Sequence, residues 1–101
     1  MAQKAETKFK EVFLRALALI PNVWCEKIQQ VGKRGTPDIL ACVGGRFVAI
    51  ELKKDAKSKP DKLQQHKLKK IVGAGGVSFV ASPENSEVVI GLIAVMAGSK
   101  K

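Results

Sequence analysis

Histidine is nearly missing from this chain of 101 residues, which has only His66. A His-based catalytic triad or a histidine zinc site therefore has no material to work with. Cysteine is scarce too: Cys25 and Cys42 stand alone and show no metal-ligand spacing. They read as buried free thiols, consistent with a reducing cytoplasm. No apolar run approaches the ~20 residues of a membrane span. The opening Met-Ala-Gln-Lys-Ala-Glu is not a signal peptide, and there is no internal repeat or low-complexity stretch. Trp24, the single tryptophan, reads as a core or edge packing residue rather than a base-stacking platform. Acids are few: nine against 18 lysines and arginines, a net charge of +9. That imbalance favours an anionic partner, either nucleic acid or a membrane surface.

What is present bounds the fold. An apolar fraction of 46% is ordinary for a globular chain. The length suits one compact domain, residues 1–101. A domain this small has a modest core, so a partner subunit would help it.

The stretch Pro37 to Lys53 organises the rest. Two apolar runs, Ile39–Val43 and Phe47–Leu52, flank Gly44-Gly45. Gly-Gly between such runs predicts a hairpin, because glycine accepts the positive φ of a primed turn at both positions. With Gly44 and Gly45 at the turn, Val43 faces Arg46, and counting outward puts Asp38 opposite Glu51. Opposed residues share a sheet face with Cβ atoms about 4.5–5.5 Å apart. Lys53, two residues beyond Glu51, points the same way. Two facing carboxylates weaken a hairpin unless a cation lies between them. Mg²⁺ prefers such oxygen ligands, with water and phosphate filling the remaining positions. A slip of one residue would send the two acids to opposite faces.

Gly35-Thr36-Pro37-Asp38 followed by Glu51-Leu52-Lys53 resembles the PD-(D/E)XK nuclease motif. The wider pattern adds Gly-Arg-Phe-Val-Ala-Ile ahead of Glu51 and a Leu63-Gln64 ahead of Ala74-Gly75-Gly76. It is similar to the VRR-NUC branch, the virus-type replication-repair nucleases, over about residues 6–83. The resemblance implies an αβββαβ core and a site that holds Mg²⁺ or Mn²⁺ on Asp38, Glu51, the backbone carbonyl of Leu52 and an acid from the first helix. Lys53 would orient water or neutralise the scissile phosphate, and Gln64 would extend the site. Stand-alone domains of this kind resemble homodimeric, structure-specific nucleases acting on branched DNA such as four-way (Holliday) junctions.

Elsewhere the periodicities place the elements. Residues 5–20 predict an amphipathic helix with Phe9, Val12, Phe13, Ala16, Leu17 and Ile20 on one stripe and Lys8, Lys10, Glu11 and Arg15 mostly off it. Glu6 lies in line with the apolar stripe. On its residues alone it either caps the first turn or reaches a site. The resemblance implies an acid at the start of that helix, a position Glu6 matches better than the alternative, Glu11. Val23 to Gln30 predicts a first strand. Lys33 and Arg34, in a Gly-rich loop just before Asp38, are candidate phosphate contacts. So are Lys54, Lys57 and Lys59, in the basic loop after Lys53. Asp61 to Val72 predicts a second helix whose inner face carries Gln64, Leu68, Ile71 and Val72, with Gly73 as terminator. His66 faces away. Val77–Ala81 predicts a strand parallel to Phe47–Lys53, through a right-handed crossover. Ser82, Pro83 and Glu84 read as the start of a last helix running to about Met96. That helix is apolar on all sides and too short for a bilayer, so it needs cover on more than one face. Either it packs deep in the small core or it forms a dimer interface; so short a chain has little with which to cover it, and a homodimer through it is the expectation.

The expected fold is thus α/β: a mixed four-stranded sheet flanked by helices, with a C-terminal helix. The expected activity is a Mg²⁺- or Mn²⁺-dependent DNA endonuclease in the cytoplasm. Two rivals remain: a non-catalytic basic nucleic-acid-binding module, which leaves Asp38, Glu51 and Lys53 unexplained, and a restriction-type nuclease, for which the chain is short of a recognition domain.

Overall fold

The computed structural model describes residues 2–28 and 35–98, with side chains from Thr7 onward. The order is α1 (Ala2–Ala18), β1 (Val23–Lys27), β2 (Ile39–Val43), β3 (Arg46–Leu52), α2 (Lys62–Gly73), β4 (Val77–Ala81) and α3 (Ser86–Gly98). The sheet runs β1-β2-β3-β4, antiparallel across the first three strands and parallel between β3 and β4. This is the expected mixed four-stranded α/β architecture.

Gly44 and Gly45 have φ of 56° and 90°, as a primed turn demands. The β2–β3 ladder then pairs Val43 with Arg46 and ends at Ile39 with Ile50. Alternation sorts the strand residues into two faces. Ile39, Ala41, Val43, Val48, Ile50, Leu52 and Ala81 belong to the buried cluster that also takes Phe13 and Leu17 from α1 and Val89, Ile93 and Ala97 from α3. Glu51, Ala49 and Phe47 therefore lie on the other face, where α2 packs beside β4. Cover by α1 and α3 leaves Val48 and Ile50 fully inaccessible, and Ala49 is equally inaccessible on the α2 face.

Several boundaries and burials differ from expectation. α1 begins and ends earlier than residues 5–20, and Leu19 and Ile20 close it with turn-type bonds to Ala16 and Leu17. β1 stops at Lys27, and Gln29 and Gln30 lie outside the described residues. α2 starts one residue later because Asp61 is its N-cap, and Ala74 rather than Gly73 is its C-cap. Val72 is exposed instead of sharing the inner face with Leu68. α3 starts at Ser86, not Pro83: the Asn85 carboxamide oxygen accepts the Ser82 N–H, tying residues 82–85 into a turn, and the Asn85 carbonyl accepts the first helical bond from Val89. Cys42 is exposed and Cys25 partly buried, against the expected pair of buried thiols. Cys42 alternates to the α2 face near β1, where α2 does not reach. Trp24, its partner across β1, is 61% exposed on the edge strand. α3 buries Val89, Ile93 and Ala97 but leaves Val88, Leu92 and Val95 exposed, so this chain covers one of its faces.

Candidate active site

The site forms just beyond the last β2–β3 pair, Ile39 with Ile50. Gly35 makes the approach possible: its φ is 82°, and a Cβ there would meet the Leu63 side chain at 2.8 Å. The chain can therefore pass tight against α2 and bury Pro37 before Asp38. The Asp38 carbonyl accepts the Ile28 N–H at 2.8 Å, and its Oδ2 accepts the Leu52 N–H at 2.8 Å. Asp38 thus straps the end of β1 to the end of β3, and its Oδ1 is left facing the cleft.

Glu51 comes from β3 with 3% of its surface exposed. Its Oε2 accepts the Gln64 Nε2–H at 2.7 Å and lies 3.4 Å from Lys53 Nζ. Its Oε1 is buried and, among the described residues, has no hydrogen-bond partner. Burial, and then the neighbouring Asp38 charge, push the Glu51 carboxyl up from 4.5 to about 7; Lys53 and Lys10 pull it the other way. A buried polar oxygen without a partner is costly. An oxygen pair of this kind suits a hard divalent cation.

Gln64 connects three groups. Its Oε1 accepts both the Lys53 Nζ–H at 3.0 Å and the Asp61 N–H at 2.9 Å, while its own N–H is held by Asp61 Oδ1 at 2.8 Å. The last two bonds form a capping box at the start of α2. With the carbonyl end of the amide committed to Asp61 and Lys53, the NH₂ end must face Glu51. Asp61 escaped the sequence reading as a site-supporting residue, although Asp-x-x-Gln before a helical pattern is a legible cap signal.

A cleft of about 370 Å³ is lined by Lys10, Asp38, Glu51, Leu52, Lys53, Lys54, Ser58 and Gln64. The structure therefore brings together Asp38, Glu51, Leu52, Lys53, Gln64 and Lys54 from the sequence reading. Ser58 and Lys10 are additions. Ser58 is positioned by Asp55, whose Oδ1 accepts from Ser58 N, Ser58 Oγ and Lys57 N. Those Ser58 bonds hold the Asp55 carboxyl below its usual range. Lys57 and Lys59 are exposed on this loop outside the cleft lining. Lys10 was expected to lie away from the core-facing stripe; instead its Nζ stands 3.9 Å from Asp38 Oδ1. The signal was its spacing, one helical turn after Glu6. The Glu6 side chain, Lys33 and Arg34 lie outside the described residues. Glu11 is exposed and does not line the cleft. Among the described residues no group of three acid, His or Cys side chains could hold a metal.

Comparison with known proteins bears on this arrangement. The family model for Hjc, the archaeal Holliday junction resolvase, matches residues 28–90, more than half of the chain. The chain belongs to the Hjc family. The matched stretch contains Asp38, Glu51, Lys53 and Gln64, while α1 with Glu6 and Lys10 precedes it. A solved structure described as a VRR_NUC domain superposes with a TM-score of 0.71 at 24% identity, covering 86% of this chain and 95% of the other. Hjc and VRR_NUC both fall in the PD-(D/E)XK nuclease superfamily, whose fold this chain has. The search of curated proteins finds no match.

Proposed function

We propose that this Hjc-family chain is a Mg²⁺- or Mn²⁺-dependent endonuclease that cuts branched DNA, four-way junctions above all, as a cytoplasmic homodimer. The observation that carries the reading is the buried Glu51 with an unpartnered Oε1 beside Asp38, in reach of Lys53 and at the open end of the hairpin. That oxygen, Asp38 Oδ1, the Leu52 carbonyl and Glu6 would hold the cation. When bound, the cation lowers the pKa of an attacking water and stabilises charge on the scissile phosphate.

The chain's own groups do the rest. Gln64 orients the Glu51 carboxylate and fixes Lys53 so that its ammonium stays in the cleft. Lys53 orients the water or neutralises a phosphate oxygen. Lys54, with Lys57 and Lys59 on the same loop and Lys33 and Arg34 before Asp38, contacts the flanking phosphates. The excess of +9 supports an anionic substrate. The exposed Val88, Leu92 and Val95 support a dimer through α3. Two sites related by a two-fold axis suit a junction of similar symmetry. No helix among the described residues is long and apolar enough to cross a membrane.

The test is cleavage of labelled four-way junction, flap and linear duplex in Mg²⁺, Mn²⁺ or EDTA by wild type and Lys53→Ala. Metal-dependent cutting confined to branched DNA and lost in the variant supports the proposal. Binding of all three DNAs without cutting under any metal returns the chain to the binding-module reading.

A further inference from the structure

Among the described residues, Lys10 faces an acid of the cleft with no hydrogen bond to hold it there. Lys53 donates to Gln64 at 3.0 Å and pairs with Glu51 at 3.4 Å. Lys10, from α1, faces Asp38 Oδ1 at 3.9 Å, within coulombic reach and beyond a hydrogen bond, with 30% of its side chain exposed to the open cleft. Asp38 Oδ2 is committed to the Leu52 N–H. Oδ1 is therefore the Asp38 oxygen left for a cation in the cleft, and there an ammonium and a dication compete for the same lone pairs.

We propose that Lys10 is an exchangeable counter-ion, displaced from Asp38 Oδ1 by a divalent cation and transferred to a phosphate of the bound DNA. The inference rests on the metal-nuclease reading above and adds a substrate contact to it. The chemistry favours the exchange. A flexible four-carbon stem carries a strongly hydrated point charge that re-pairs at little cost. A phosphate entering beside the acids needs a cation that is not already fixed. Lys10 thereby couples the two ligands: it opposes the metal on the free protein and favours DNA once the metal is in place.

The test uses Lys10→Met, which keeps the apolar stem, and Lys10→Gln as a second variant should the first melt early. Mn²⁺ binding to the DNA-free protein is measured by calorimetry. Removing the competing charge tightens Mn²⁺ about threefold or more. Junction binding is then measured across a salt series in Ca²⁺ and in EDTA. The Ca²⁺ salt slope falls by about 0.9 in the variant, one phosphate contact fewer, while the EDTA slopes of wild type and variant coincide. Lys10→Arg keeps the wild-type values of both. Unchanged or weaker Mn²⁺ binding in Lys10→Met, or equal slopes in Ca²⁺, overturns the role of Lys10 and leaves the nuclease reading standing. A wild type that binds no Mn²⁺, and whose titration is unaltered by Asp38→Asn, brings both down.

Discussion

At the turn of the β2–β3 hairpin, Gly44 lies so close to α3 that a Cβ would meet the Met96 carbonyl oxygen at 2.9 Å. At the open end of the same hairpin, two carboxylates share a cleft and one of their oxygens is buried without a partner. The turn end is held by shape: two positive-φ glycines, a ladder in register and a helix against it. The open end is held by charge, with an ion pair from α1, and by a few long-range hydrogen bonds from α2 and the Asp38 strap. The first end gives up nothing for stability. The second stores an unfavourable arrangement that a cation would relieve, which is how functional sites commonly depart from the stability optimum.

The two ends should respond differently to substitution. The largest expected effect is on Glu51→Gln, which removes the carboxylate charge proposed to hold the cation while keeping the Gln64 contact. Junction cleavage should fall by about a thousandfold or more, with junction binding retained. Residual cleavage near wild type would show that the open end is not the active site.

The second is a pH effect. The folded Glu51 value of about 7 lies above its ordinary 4.5, so the folded state keeps this proton longer than the unfolded one. Metal-free protein should therefore lose stability as pH rises from 4.5 to about 7, with the full penalty above that. The loss amounts to roughly 3 kcal/mol at about 1.4 kcal/mol per pH unit. Denaturant unfolding in EDTA at pH 5 and pH 8 measures it, and Glu51→Gln should flatten the difference.

Third, Gly44→Ala forces both a left-handed residue and a clash with α3. It should lower stability by about 2 kcal/mol, whereas Gly45→Ala, which meets nothing, should cost about 1 kcal/mol. Thermal melts compare them. A change in Mn²⁺ affinity in either variant would show that the two ends are mechanically coupled rather than separate.

The smallest effect falls on Asp61→Ala, at about 1 kcal/mol of helix capping. Its sharper readout is cleavage. Gln64 released from the capping box should lower the rate about tenfold, as loss of a partner that orients a ligand does, and Gln64→Ala should match it. An unchanged rate in both would reduce the Gln64 bridge to a structural cap.

Much of the site was legible in the chain because its core is local. Asp38, Glu51 and Lys53 come from one hairpin, and a hairpin's register follows from its turn. Gly44-Gly45 therefore determined which side chains share a face, and counting outward reached the acids. Gln64 followed from the position of Leu63-Gln64 in the resemblance. Lys10 was not legible in this way. It comes from α1 and meets Asp38 only after the helix packs across the sheet, and a lysine beside an apolar stripe reads as solvated surface. Asp61 and Ser58 were overlooked for a related reason: each acts through a neighbour, Asp61 through Gln64 and Ser58 through Asp55.

The order of elements, the parallel pairing of Val77–Ala81 and the register that brings the two acids to one end of the hairpin, just beyond its last pair, were legible from turn chemistry, strand alternation and helical period. Burial was not. Cys42 and Trp24 sit in apolar-looking strands yet face outward, because α2 covers the β4 side of the sheet and leaves the β1 side bare. α3 looks uniformly apolar in sequence but buries one face, and only its docking beside α1 selects Val89, Ile93 and Ala97 for the core. The raised Glu51 carboxyl likewise depends on the layers that close over it and on an Asp38 charge brought near by the fold. Periodicity states which residues share a face. Which faces are covered, and how strongly a buried charge is desolvated, depends on elements distant in the chain, and packing alone brings those together.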